Sequence, residues 1–215
     1  MCGLLSRNTI IGFALFLSVP LFGFGCGNFD QGLGGGGADK SGSLFNVEYI
    51  DPTYFEDSTR QVDVFLNPNC SNDPDEPDPE PYSDHFADVT FTNRPLNNSL
   101  ETPPTIYLYE YWIWYTPLTQ GSPPLDSFTV MGVGDQGGIE GCDPGSQCAG
   151  ETLSQIQFVP VREKEVLAGY ILSTGIFQLE YNIHYRFFGR NVFGYEVSAE
   201  AITNFYASNY DNCGG

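Results

Sequence analysis

The chain has 215 residues, with 25 Gly and 15 Pro, room for one large domain or two small ones. Its 27 acidic against 8 basic residues give a net charge of -19, which excludes a nucleic-acid binder and argues against docking on anionic headgroups. With only two histidines, His85 and His184, chemistry that needs a histidine cluster is excluded as well.

The first segment, 1–25, has a basic start at Arg7 and an almost unbroken apolar run from Ile10 to Phe24. That pattern is a secretory signal, and the run is short for a membrane span, which needs about 20 residues. An uncleaved anchor is the alternative. The run ends Gly23-Phe24-Gly25-Cys26-Gly27 and resembles the lipobox of bacterial lipoproteins. The resemblance implies cleavage before Cys26, acylation of its thiol, and anchoring at the outer membrane or cell surface. Gly23 stands where Leu is usual and Phe24 is bulky, so cleavage near Gly25 by an ordinary signal peptidase stays open, with an extracellular product. Residues 26–43 carry Gly34-Gly35-Gly36-Gly37 and no apolar periodicity, which reads as a flexible tether. No Gly-Lys-Ser/Thr ending follows, so this is not a phosphate loop.

Residues 44–215 read as a single all-β domain with no convincing amphipathic helix. The predicted strands are Phe45–Ile50, Gln61–Leu66, Phe86–Thr92, Thr105–Tyr115, Ser127–Val133, Ile156–Pro160, Val166–Leu172, Phe177–Phe188 and Phe193–Tyr206. Such a set suits an antiparallel β-sandwich. The segments Val89-Thr90-Phe91-Thr92-Asn93, Tyr111–Pro117 and Gly189–Gly194 resemble bacterial lipoproteins of unknown function with an immunoglobulin/fibronectin-type-III-like β-sandwich. That resemblance implies a fold and a compartment and no activity.

With Cys2 in the signal and Cys26 the lipidation candidate, Cys70, Cys142, Cys148 and Cys213 remain, an even number that fits two disulfides in an exported chain. Four cysteines allow three pairings. The tight loop Cys142-Asp-Pro-Gly-Ser-Gln-Cys148 favours local closure, which leaves Cys70 with Cys213. A zinc site needs two closely spaced pairs, and the spacing does not supply them.

Between the first strands and the middle of the chain, 71–84 reads SNDPDEPDPEPYSD. Alternating Pro and repelling carboxylates predict an extended, solvated loop. Asp73, Asp75 and Asp78 are the calcium alternative, the sole cofactor reading, because calcium takes several flexible oxygens; Asp135 in a Gly-rich turn is a weaker one.

Thr105–Tyr115 reads TIYLYEYWIWY. Tyr107, Tyr109, Tyr111, Ile113 and Tyr115 share one face, and Ile106, Leu108, Glu110, Trp112 and Trp114 the other. A central buried strand is one reading; a flat platform of Trp112 and Trp114 for sugar rings or a protein partner is the other. A bulge at Glu110 would switch the phase and decide which rings go in.

In Phe177–Phe188 the odd residues are apolar and the even ones as far as Arg186 polar, so one face is wet. Paired with the last strand through a loop at about Gly189 to Phe193, the expected register sets Tyr185 opposite Val197, Arg186 opposite Glu196 and His184 opposite Ser198, with Tyr195 facing in.

No catalytic set emerges. His184 lies mid-strand on the polar face, and His85 sits at a loop–strand junction with no nucleophile in sight. The expected function is a non-enzymatic, lipid-anchored envelope protein that binds or scaffolds a protein or glycan partner. The alternative is a secreted subunit that self-associates into an assembly or filament by strand addition. A hydrolase is a third class, disfavoured by the missing triad.

Overall fold

The computed structural model describes residues 42–54, 57–66, 82–96, 101–133 and 138–210. The signal and tether readings on 1–41, the acidic run through residue 81, Asp135, Cys70 and Cys213 lie outside them. The described chain is an all-β sandwich with one helix. Its strands are β1 (Ser43–Tyr54), β2 (Asp57–Ser58), β3 (Gln61–Asp63), β4 (His85–Pro95), β5 (Ile106–Pro117), β6 (Phe128–Met131), β7 (Glu151–Val159), β8 (Leu179–Asn191) and β9 (Glu196–Ser208). The helix α1 (Val161–Thr174) connects β7 to β8. One sheet runs β2-β1-β4-β7 and the other β3-β9-β8-β5-β6. Every pairing is antiparallel except β3 with β9, which is parallel.

The alternation read from 177–188 sets the sandwich. Leu179, Tyr181, Ile183, Tyr185 and Phe187 are buried, while Glu180, Asn182, His184 and Arg186 lie on the outer side. The register to β9 differs from the expectation by four residues. Tyr185 lies opposite Ala201, Arg186 opposite Glu200 and His184 opposite Ile202. Two causes are visible. Size complementarity favours this pairing: Phe187, Tyr185 and Leu179 face Ala199, Ala201 and Ala207, so large rings fill the space that small residues leave. The turn is also not where Gly189 suggested. Gly189 is a strand position, and a Cβ there would stand 2.6 Å from the Ile106 methyl on β5. The turn forms at Asn191, whose Oδ1 accepts from the backbone N–H groups of Phe193 and Tyr195, both at 3.0 Å. Gly194 at φ +85° completes it. Tyr195 is consequently exposed rather than inward. An even shift keeps each side chain on its face, which is why the alternation survived the wrong register.

The predicted strand Val166–Leu172 is the second half of α1, and the expectation of no helix is corrected with it. Pro160 stands at the N-cap and Gly175, at φ 71°, at the C-cap. Lys164, Leu167 and Ile171 recur at helical spacing on the buried side, beside Glu163. Charged residues on the inner stripe are what hid the period. Glu163 lies against Arg162 at 2.9 Å and accepts from the Asp126 N–H, and the Lys164 ammonium sits 5.1 Å from the Tyr82 ring centroid. Asp84, from the loop before β4, accepts from Val161 N at 2.7 Å and so caps the helix from another part of the chain.

Aromatic rings tie the sheets. Phe45 stacks on Phe91, which meets Phe187 edge-on at 4.8 Å, and Tyr181 stacks on Phe205. Hydroxyls then cross the core to β7. Tyr185 donates to Gln157 O at 2.9 Å, Tyr111 accepts from Gln157 N at 3.0 Å, and Tyr115 donates to Phe158 O at 2.8 Å. These polar atoms fall where the pairing of β4 and β7 slips, with Phe86 opposite Gln157 but His85 opposite Val159. The tyrosines satisfy a stretch of backbone that the ladder leaves over. Burial pushes all three phenols up, so they stay protonated at neutral pH.

Cys142 and Cys148 form a disulfide across a turn with Gly145 at φ +79°. Cys142 N donates to Asn93 O at 2.8 Å, so the loop is fastened to the end of β4.

Candidate functional site

The outer face of the five-stranded sheet carries the aromatic residues that the sequence singled out. On β5 the pairing to β8 slips between Leu108 and Glu110, leaving Tyr109 as a bulge. Before it, Ile106 and Leu108 face the core; after it, Tyr111, Ile113 and Tyr115 do. Neither of the two uninterrupted faces read from the sequence exists. Trp112 therefore turns outward at 43% exposure, and Trp114 lies beside it, half-buried.

Cross-strand register lines up their neighbours. Trp112 is opposite Arg186 on β8 and Thr129 on β6, and Arg186 is opposite Glu200 on β9. One rung along, Trp114 is opposite His184, which is opposite Ile202. The Trp114 and His184 rings lie flat on each other, centroids 5.0 Å apart and planes 8° apart. Trp112 packs on Phe188 at 4.9 Å, and the Arg186 guanidinium sits 5.3 Å from that Phe188 ring.

Both indoles are held. The Trp112 Nε1–H donates to Glu110. His184 is fixed by the hydrogen bond between its Nε2 and the Thr116 hydroxyl, 3.0 Å. Burial pushes the His184 imidazole below its usual value, with Glu200 pulling the other way. The stacked ring is thus mostly uncharged at neutral pH. Beside the tryptophans, an open groove of about 440 Å³ is lined by Trp112, Ile113, Trp114, Ser127, Phe128 and Thr129.

Charge on this face is mostly paired internally. Arg186 lies 3.4 Å from Glu200 and Arg190 lies 2.8 Å from Glu196. Of the remaining carboxylates on these strands, Glu110 holds the Trp112 indole and Glu180 accepts from Asn204.

The other site readings do not gather here. His85 is buried at the start of β4, 5.1 Å from the Phe158 ring. Desolvation, helped by the charge of Lys164, pulls its pKa down to about 3. The calcium candidates Asp73, Asp75 and Asp78, the lipidation candidate Cys26, and the second disulfide pair Cys70 and Cys213 lie outside the described residues. Among the described residues no group of three or more His, Cys, Asp or Glu could hold a metal ion, and no helix is long and apolar enough to cross a membrane.

Sequence reasoning missed His184 and Phe188 as members of the aromatic face. The signal was there: both occupy even positions in 177–188, the outward set. Their alignment with Trp114 and Trp112 required the β5–β8 register, which the bulge at Tyr109 sets.

Compared with protein-family models, curated proteins and solved structures, the chain matches none of them.

Proposed function

We propose that this chain is a non-enzymatic cell-envelope lipoprotein, exported, lipid-anchored through Cys26, and binding a partner at the cell surface through the outer face around Trp112 and Trp114. The observation that carries the binding reading is the bulge at Tyr109, which turns both tryptophans outward onto an ordered aromatic ladder. Exposed rings in contact with one another mark interaction sites more than isolated ones do. The lipid anchor rests on the apolar run ending in Gly25-Cys26.

The strand order supports the finer reading of the sandwich as immunoglobulin-like. β1, β4 and β7 occupy the places of strands A, B and E, and β9, β8, β5 and β6 those of G, F, C and C′. The helix α1 then takes the connection from E to F, and Cys142–Cys148 precedes E.

The alternative is a subunit joined by strand addition. Among the described residues β2 pairs with β1 only at Thr53 and Tyr54, and β3 pairs with β9 only at Tyr206–Ser208, so the rest of the long strands β1 and β9 favours that reading as an edge to which another strand could add. β7, at the opposite edge from β1, is bulged twice along β4, with Gln155 at φ 61°, and is less suited to it.

The test uses the full-length protein in its cell and the Cys26→Ser variant. Native protein should carry acylated Cys26 as its first residue and enter the detergent phase on phase separation, whereas Cys26→Ser should stay in the aqueous phase. Soluble Cys26→Ser protein should co-sediment with isolated envelopes, and Trp112→Ala with Trp114→Ala should abolish this. A Cys26→Ser variant that still enters the detergent phase refutes the anchor. Undiminished sedimentation of the tryptophan variant refutes the face.

A further inference from the structure

We infer that the Trp112–Trp114 face is a glycan site, taking a neutral polysaccharide whose pyranose rings lie on the indoles. This rests on the proposal above that this face binds the partner.

Four observations select that ligand class. The rings are fixed before any ligand arrives: Trp112 by Glu110 and Phe188, Trp114 by His184. A preset ring loses little freedom on binding, which matters for weak ligands. A pyranose offers a C–H face that suits the negative face of an aromatic ring.

The surroundings suit hydroxyls. Each sugar hydroxyl both donates and accepts, so it needs both kinds of partner at its rim. Thr116, Asn182, Ser198 and Thr129 lie on the same rungs as the aromatic residues or on neighbouring ones, at half-buried or exposed positions.

Charge excludes an acidic glycan. The outward charged residues of the central strands are two arginines, each paired to a glutamate, and two further glutamates. The chain as a whole carries -19. Arg60, beside β3 at the far edge, is engaged by Asn204 at 3.2 Å, and a uronate or sulfated polymer on the central strands meets a repelling field and no unpaired cation.

Size also points away from a protein partner. The groove of about 440 Å³ falls in the range of small-ligand sites, ~300–1,000 Å³. A stable protein interface covers about 800 Å² per side with an apolar centre. At its Trp114 end the aromatic strip stops at the polar rung Thr116–Asn182–Asn204.

The chain has two tryptophans, and both stand on this face. Intrinsic tryptophan emission therefore reads the site without a label. Soluble Cys26→Ser protein is titrated with cellohexaose, laminarihexaose, chitohexaose and polygalacturonate. At least one neutral hexamer should change the emission saturably, with no response to polygalacturonate. Trp112→Ala and Trp114→Ala should each weaken that binding about tenfold or more, measured by calorimetry, in variants that keep the native far-ultraviolet circular dichroism spectrum. Thr129→Val, which removes a rim hydroxyl and no ring, should weaken it less. If no neutral hexamer changes the emission up to about 10 mM, the glycan assignment is overturned. It is equally overturned if polygalacturonate binds best. Envelope binding that survives neither the tryptophan variants nor protease treatment of the envelopes would leave the face in place and make its partner a protein. Envelope binding untouched by the tryptophan variants would instead remove the face itself.

Discussion

Tyr185→Phe tests how the two sheets are joined. Tyr185 is fully buried, and its hydroxyl donates to the carbonyl of Gln157 on β7. Removing that hydroxyl leaves the ring in place and an acceptor without its donor. An orphaned buried carbonyl costs about 1–3 kcal/mol. Gln157 is half-buried on an edge strand, so water can partly replace the lost donor. The expected loss is therefore about 1 kcal/mol, the low end of that range. For a domain of this size that is a drop of roughly 2–4 °C in melting temperature. Tyr111→Phe removes the acceptor of the N–H of the same residue and should cost a similar amount. Because both hydroxyls hold one residue of β7, the double variant should fall short of additivity by about 0.5 kcal/mol or more. Urea unfolding of the four proteins gives the cycle. Tyr185→Ala should cost about 3–5 kcal/mol, while Arg186→Ala, which breaks a half-exposed pair, should cost at most about 1 kcal/mol. A Tyr185→Phe variant indistinguishable from the native protein would refute the bridging. Arg186→Ala more damaging than Tyr185→Ala would mean that the faces of β8 are inverted.

His85 should make the fold acid-sensitive. Its folded pKa of about 3 lies below the usual 6.5, so the unfolded chain binds the proton first, and stability falls as pH drops from about 6.5 toward 3, by at most ~1.4 kcal/mol per unit. The stability difference between the native protein and His85→Met, from urea melts at pH 7, 6 and 5, should narrow or reverse in the variant's favour as pH falls; parallel curves would show that His85 does not titrate low. Gly189→Ala should destabilise by roughly 1–3 kcal/mol, because the new methyl meets Ile106 and the Tyr107 carbonyl, and a neutral result in thermal unfolding would contradict the β5–β8 packing. Peptide mapping without reduction should return Cys142 linked to Cys148 and Cys70 linked to Cys213; a Cys70–Cys142 or Cys70–Cys148 peptide would break this pairing scheme.

What the sequence made legible follows the range of each interaction. The faces of β8 were readable because a period of two is local: five buried apolar residues alternate with polar ones. Its register was not, because it depends on Ala199 and Ala201 accepting the bulk of Phe187 and Tyr185, and on whether Gly189 or Gly194 makes the turn. Both glycines sit near Asn191. Only the presence of Ile106 across the sheet shows which one needs its missing Cβ for closeness rather than for a left-handed turn. The helix was missed for a related reason. Glu163 and Lys164 occupy its inner side with partners from distant segments, so the local pattern looked polar where the fold is buried. Pro160 and Gly175 were the cues that could have marked its ends.

The tryptophan face follows from what β5 must avoid. If the even residues of the strand had all faced inward, Glu110 would have entered the core with Trp112 and Trp114. A buried carboxylate without a cation is expensive, and an indole offers a donor but no acceptor. If the odd residues had all faced inward, Ile106 and Leu108 would have been exposed, and Tyr107 and Tyr109 would have taken their places. The bulge at Tyr109 escapes both outcomes. It keeps Ile106 and Leu108 in the core, then switches phase so that Tyr111 and Tyr115 can reach the backbone of β7 with their hydroxyls. The required space comes from Gly189, which pairs with Leu108 just before the slip. Exposure of Trp112 and Trp114 is the other side of that solution. The inward tyrosines give the core its ties to the opposite sheet, and the outward indoles are left on a rigid central strand flanked by β6 and β8. A strand that had to be buried on one side only for stability thus presents its largest rings where a ligand can reach them.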